Sequence, residues 1–65
     1  MSIGENVKRI REERQMTQTE LAEKAHCSQS MIVQIERGSK VPTILLAQDM
    51  AKALGCSVND FVIMA

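Results

Sequence analysis

Apolar residues recur along this chain every three or four positions, which is the spacing of one face of an α-helix. Such faces predict helices over about residues 3–14, 18–25, 29–37, 44–54 and 58–63. No segment alternates apolar and polar residues for long enough to predict a β-strand. The connections are short, as in bundles of packed helices. The pattern therefore predicts an all-α fold.

Residues that favour helix ends mark the boundaries of these segments. Residues 2–5 and 17–20 each have the form of a capping box, in which a hydroxyl and a carboxylate satisfy first-turn amides. Ser28 is a good N-cap for the third segment. Gly38 and Gly55 follow the third and fourth segments, where glycine readily adopts the left-handed conformation that ends a helix.

Length and composition restrict the class of protein. A chain of 65 residues holds one domain, residues 1–65, near the lower size limit for unaided folding. With one Phe and no Trp or Tyr, the core must be aliphatic, and no aromatic platform can stack unpaired bases. Cys27 and Cys56 are 29 residues apart with no nearby Cys or His repeat, so we expect no disulfide framework, metal site or cofactor. No long apolar run or signal region is present, so we expect a cytoplasmic protein with no membrane partner.

Charge gives no simple indication of a partner. Eight Lys and Arg balance eight Asp and Glu, whereas nucleic-acid-binding domains often carry a basic excess. Affinity for DNA would then depend on where charges and helix termini lie. We expect no enzyme, because no Ser-His-Asp, paired-carboxylate or metal-ligand set stands out and the domain is too small for a deep pocket.

The second and third segments have the form of a helix-turn-helix, since two short helices are joined by a turn at residues 26–28. The outward face of the third helix carries Gln29, Ser30, Val33 and Gln34. Glutamine can pair with N6 and N7 of adenine, serine with several base edges, and valine with a thymine methyl group. The N-terminal amides of both helices suit phosphate. This face predicts major-groove reading, with an ordinary solvent-facing stripe as the alternative.

Four stretches give the chain a close resemblance to the Cro/C1-type helix-turn-helix family of lambdoid phage repressors and restriction–modification controller proteins. They are residues 10–14, 16–22, 32–38 and 51–57. The resemblance covers nearly the whole chain and implies a compact five-helix, lambda-repressor-like domain with its helix-turn-helix at helices two and three. It also implies a sequence-specific, homodimeric transcriptional repressor of phage, mobile-element or restriction–modification type. Helix three would read a palindromic operator in double-stranded DNA.

The resemblance implies a role for each matching position. The base-contacting residues would be Gln29, Ser30, Val33 and Gln34, and the phosphate-contacting residues would be Gln18, Ser28, Arg37 and Lys40. Gln18 would also brace the recognition helix. Arg11 and Glu36 would form a structural ion pair that ties helix one to helix three. His26 replaces a frequent glycine of the turn, so we expect a positive φ there.

A surplus of apolar residues from helix four onward predicts an interface. The resemblance implies dimerisation in this region, and we expect contacts at Leu45, Val58, Phe61, Val62, Ile63 and Met64. A two-fold dimer would hold two recognition helices about 34 Å apart. Two alternatives stay open. The tail folds back or frays, or the chain is a protein-interaction module, such as an antitoxin-like subunit, that uses this apolar surface for another protein.

Overall fold

The computed structural model describes residues 2–62 and contains five α-helices there. They are α1 (Ile3–Glu13), α2 (Gln18–Lys24), α3 (Gln29–Arg37), α4 (Ile44–Leu54) and α5 (Asn59–Val62). No strand occurs among the described residues. The all-α, five-helix prediction is confirmed, and the bounds of α1 to α4 agree with the expected ones to within one residue.

Side-chain caps explain where α1 and α2 begin. The Ser2 hydroxyl accepts from the Glu5 N–H at 3.1 Å, and the Glu5 carboxylate accepts from the Ser2 N–H at 2.9 Å. Thr17 and Glu20 make the same exchange at 3.0 and 2.9 Å. Both predicted capping boxes are confirmed. Each one gives a side-chain acceptor to two backbone N–H groups that have no partner within the helix.

All five helices contribute to one core, and that core is almost entirely aliphatic. The largest fully buried apolar side chains are Phe61, Leu21, Ile32, Ile35, Met50 and Val7. Helix α3 contributes Ile32 and Ile35 to this core, and α4 contributes Ala47, Met50, Ala51 and Leu54. Removing each large side chain of this kind from water contributes about 1.5–3 kcal/mol.

Phe61 differs from the expectation for a dimer interface. Its side chain is 1% exposed and lies in the core of the single chain. Helix α5 has four residues, too few to be stable alone, and the buried Phe61 anchors it to the domain. The interface assignment of Phe61 is therefore corrected to a core role.

Three contacts that the sequence analysis missed hold α1 against its neighbours. A Cβ atom added to Gly4 would lie 1.9 Å from the Ile35 carbonyl oxygen, so the backbones of α1 and α3 meet where only glycine fits. The buried Asn6 Nδ2 donates to the Phe61 carbonyl oxygen at 2.7 Å. Arg14 Nε donates to the Leu54 carbonyl oxygen at 3.0 Å, at the end of α4. Helix α1 is thereby fixed to α3, α4 and α5.

The turns use left-handed residues. Gly38 and Gly55 end α3 and α4 with φ of 85° and 72°, as predicted. His26 has φ of 60°, which confirms the positive φ expected in the turn of the helix-turn-helix. Gln15, after α1, has φ of 56° and was not anticipated. Neither residue is a glycine, so both carry local backbone strain.

Candidate nucleic-acid interface

Helix α3 has one side fixed in the protein and one side open. Ile32 and Ile35 are 0% and 1% exposed and pack in the core. On the other side Gln29 and Ser30 are exposed, and Val33 is half-buried. The first turn of α3 is therefore available to a ligand while its inner side is held by α1 and α2.

The N-cap of α3 leaves a donor free for an anion. The Ser28 hydroxyl oxygen accepts from the Met31 N–H at 3.1 Å. This capping bond uses the oxygen as an acceptor, so the hydroxyl hydrogen can still donate to a phosphate oxygen. The first N–H groups of a helix lack partners within the helix and carry partial positive charge. The start of α3 can thus attract phosphate without a basic side chain.

Gln34 is held at both its backbone and its side chain. Its backbone carbonyl oxygen accepts from the N–H groups of Ser39 at 2.9 Å and Lys40 at 3.3 Å, as the chain turns after α3. Its Nε2 donates to Ser30 Oγ at 3.1 Å. Gln34 is half-buried, whereas Ser30 is exposed. Two of the residues expected to contact bases are therefore in contact with each other.

A buried ion pair connects α1 with the end of α3. Arg11 Nε donates to Glu36 Oε2 at 2.7 Å, and Arg11 Nη2 donates to Glu36 Oε1 at 3.1 Å. Both residues are 9% exposed. The hydrogen bonds to Glu36 raise the pKa of Arg11 above its ordinary value, so the guanidinium stays charged. This is the structural pair implied by the family resemblance, in a two-bond geometry that fixes the orientation of both side chains.

The same carboxylate also receives Gln18, the first residue of α2. Gln18 Nε2 donates to Glu36 Oε1 at 3.0 Å, and Arg11 Nη1 donates to the Met16 carbonyl oxygen at 2.8 Å. Gln18 is half-buried. One amide hydrogen stays available for a phosphate after the other is given to Glu36. This network joins α1, the start of α2 and the end of α3.

Two exposed cations follow the exposed face of α3. Arg37 is the last residue of α3, and Lys40 lies in the loop that follows. Both residues are exposed. Glu36, beside Arg37 in sequence, has its charge compensated by Arg11 and is turned inward. The exposed charge at this end of α3 is therefore positive.

The residues expected at a dimer interface lie in different environments. Leu45 is 74% exposed, and Val41 and Ile44, which the sequence analysis did not single out, are 78% and 76% exposed. Val58 is half-buried against the core. Ile63, Met64 and the side chain of Val62 lie outside the described residues. Among the described residues, the exposed aliphatic surface is thus at the start of α4. It lies beside an apolar groove lined by Ile3, Pro42, Thr43, Ile44, Ala47, Val58 and Phe61.

The remaining candidate chemistry is limited. Within residues 2–62, no three His, Cys, Asp or Glu side chains come together in a way that could hold a metal ion. Cys27 and Cys56 are free and partly buried, and desolvation raises the pKa of both thiols, which disfavours the reactive thiolate. None of the helices in this part of the chain combines the length and apolar character that a membrane span requires.

Comparison with known proteins gives consistent matches. The sequence model of the helix-turn-helix family matches residues 7–61. The immunity repressor protein of Bacillus phage phi105 is 42% identical over 62 residues, which are 95% of this chain and 43% of the phage protein. An uncharacterized HTH-type transcriptional regulator of Sinorhizobium fredii is 36% identical over 60 residues, covering 92% of this chain and 78% of that protein.

A third relative is the competence pilus inhibition repressor of Acinetobacter baylyi. It is 34% identical over 65 residues, which are 100% of this chain and 59% of that repressor. The chain thus spans 43% and 59% of the lengths of the two named repressors. In all three comparisons the similarity covers nearly the whole of this chain, including the candidate interface.

Proposed function

This chain belongs to the helix-turn-helix family, and we propose that it is a sequence-specific double-stranded-DNA-binding transcriptional regulator, a homodimeric repressor of phage, mobile-element or restriction–modification controller type. The observation that carries the proposal is the two-sided nature of α3. Its inner side is fixed by the core and by Glu36, while Gln29 and Ser30 in its first turn are exposed. A rigid helix with small and amide-bearing residues on its open side suits the major groove.

The residues divide into those that supply affinity and those that supply specificity. Gln29 and Gln34 offer the donor and acceptor groups that pair with base edges, and Val33 offers methyl groups to thymine. The exposed cations of Arg37 and Lys40 bind phosphates by charge. The free hydroxyl hydrogen of Ser28 and the remaining amide hydrogen of Gln18 donate to phosphate oxygens. Neutral donors and helix termini thus supply part of the phosphate affinity, which is compatible with a net charge of zero.

Dimerisation is proposed at the exposed aliphatic surface near the start of α4. About three-quarters of each of Val41, Ile44 and Leu45 is exposed. Such a cluster of exposed apolar side chains does not stabilise a monomer and is typical of an interface. A two-fold dimer through this region would present two α3 helices to successive major grooves about 34 Å apart. Repression would follow from occlusion of a promoter that overlaps the operator.

Selection from a random duplex library at moderate salt tests this proposal. We expect an enriched palindrome whose half-sites lie about one helical turn apart. Sedimentation of the protein with and without the selected duplex should show two chains for each duplex. An enriched sequence without two-fold symmetry, bound by one chain, would overturn the dimer.

The second candidate is a protein-interaction module, and the same exposed side chains Val41, Ile44 and Leu45 favour it. Its signature would be a folded protein that enriches no duplex. Salt dependence separates the two functions, because phosphate contacts make DNA affinity fall steeply with salt whereas an apolar protein interface is nearly insensitive. A folded protein with no enriched sequence would overturn the proposed repressor.

A further inference from the structure

Ser30 and Gln34 lie one helical turn apart on the open side of α3, and their side chains form one unit. Gln34 Nε2 donates to Ser30 Oγ at 3.1 Å. Residues four apart on a helix are neighbours, so this contact is sterically natural. The resemblance to the Cro/C1 family implies that both residues contact bases, and it implies no coupling between the two contacts.

The backbone of Gln34 is anchored as well. Its carbonyl oxygen accepts from Ser39 N–H at 2.9 Å and Lys40 N–H at 3.3 Å, just beyond the left-handed Gly38. A glutamine side chain ordinarily loses much rotamer freedom when it binds a base. The turn holds the backbone carbonyl of Gln34, and Ser30 holds its side-chain amide, so the side chain has less rotamer freedom to lose on binding. Such preorganisation increases affinity and sharpens discrimination.

The remaining hydrogen-bonding groups define what this unit recognises. A glutamine amide has two N–H hydrogens and one carbonyl oxygen, and Ser30 Oγ receives one of those hydrogens. The second hydrogen and the oxygen Oε1 have no partner among the described residues, so the amide can still offer one donor and one acceptor. That pattern matches adenine, which presents the N7 acceptor and the N6 amino donor in the major groove.

We propose that Ser30 is a positioning residue for Gln34 and that the two residues together read a single adenine in each half-site. This inference rests on the proposed DNA-binding function. Ser30 does not read a base pair of its own. Removing the side chain of Ser30 or that of Gln34 therefore reduces specificity at the same base pair.

Operator variants test where that specificity lies. The dissociation constant is measured for the selected operator and for duplexes with each half-site base pair replaced in turn. Gln34→Ala should abolish the preference for adenine at one base pair. Ser30→Ala should weaken the preference at that same base pair about fivefold, as expected for the loss of one neutral hydrogen bond. The double variant should show no further loss there, and Ser30→Thr, which keeps the hydroxyl, should retain the preference.

A matched control comes from the neighbouring helix. Thr19 is the second residue of α2, as Ser30 is of α3, and it is exposed. Thr19→Ala removes a hydroxyl from an equivalent helix position and should leave every base preference unchanged. Loss of preference at a different base pair in Ser30→Ala, or losses that add to those of Gln34→Ala, would overturn the shared reading.

A measurement on the DNA-free protein separates this inference from the proposed function. The NMR order parameter of the Gln34 side-chain amide should fall in Ser30→Ala and stay high in the wild type and in Ser30→Thr. If the order parameter is unchanged in Ser30→Ala while the wild type still selects an operator, the positioning role of Ser30 is overturned and the DNA-binding function stands. If no duplex is selected, the DNA-binding function and the adenine reading both fail, even where Ser30 still orders the amide.

Discussion

Replacement of Glu36 by alanine should reveal how strongly the network around α3 stabilises the protein. Glu36 accepts three hydrogen bonds, two from Arg11 and one from Gln18, at 2.7 to 3.1 Å. Without it, Arg11 is left as a charge that is 9% exposed, with the Met16 carbonyl oxygen as its remaining partner. Removing one member of a buried ion pair costs about 3–5 kcal/mol. Because neither side chain is completely buried, we expect about 3 kcal/mol.

That loss is large for a chain of 65 residues, whose total stability should be about 3–10 kcal/mol. Urea unfolding is the suitable assay, since a slope of about 1 kcal/mol per molar urea would turn this loss into a midpoint shift of about 3 M. Glu13→Ala is the matched control because Glu13 pairs with Arg9 at 3.5 Å on the exposed surface of α1. Exposed pairs of this type contribute less than about 1 kcal/mol.

A double variant separates loss of the pair from exposure of an unpaired charge. Arg11→Met combined with Glu36→Leu removes both charges and should be less destabilising than Glu36→Ala alone, because no buried ion is left without a partner. A urea midpoint shift for Glu36→Ala that is no larger than the shift for Glu13→Ala would show that the ion pair has no structural role.

Three further predictions follow from other contacts. Gly4→Ala should destabilise the protein by about 1–3 kcal/mol in thermal unfolding, because the added methyl group meets an α3 carbonyl oxygen; unchanged stability would show that the helices do not approach so closely. Gln29→Ala should cost about 1–3 kcal/mol of binding at the selected operator and relax one base preference, whereas Lys40→Ala should weaken all sequences alike and reduce the salt dependence; equal losses at every sequence for both variants would contradict this division. The backbone hydrogen bonds to Glu5 and Glu20 lower the pKa of both carboxyls, so their stabilising contribution is complete above pH 4.5 and is lost as the pH falls through the lowered folded values. The Glu5→Gln/Glu20→Gln variant should therefore lose less stability than the wild type between pH 5 and strongly acid solution in urea titrations, and identical pH profiles would count against the role of these caps.

Local signals explain why the helices could be predicted from the sequence. A capping box depends on residues three apart, and a helix-ending glycine such as Gly38 acts through its own backbone conformation. Both kinds of signal are present in the sequence itself, and the structure has the corresponding bonds and φ angles. The positive φ of His26 was predicted because family relatives often have glycine there. Gln15 gave no such signal, since glutamine is not a typical left-handed residue.

Contacts between helices could not be predicted in the same way. The buried bond from Asn6 to the Phe61 carbonyl oxygen joins residues 55 apart, and that from Arg14 to the Leu54 carbonyl oxygen joins residues 40 apart. Their existence depends on how the helices cross. The sequence shows that Phe61 is apolar, but it does not show whether the side chain packs in the core of one chain or at an interface between two chains.

The candidate site contains one contact that the spacing could have indicated. Ser30 and Gln34 are four residues apart on a helix, which is a distance at which side chains meet. Residue type alone indicates that each one is a separate group facing DNA. The contact from Gln18 to Glu36 is different, because its two residues lie 18 apart on separate helices and only the fold brings them together.

The division of α3 into a fixed inner side and an open outer side has a practical consequence for engineering. Because Gly4, Arg11 and Glu36 set the position of the helix from within, the outer positions can be randomised without disturbing the scaffold. A library varied at Gln29, Ser30 and Gln34 should therefore yield folded proteins with new operator preferences. Transplanting the outer face of a relative's α3 onto this chain should likewise carry over that relative's preference, while the melting temperature stays that of the recipient.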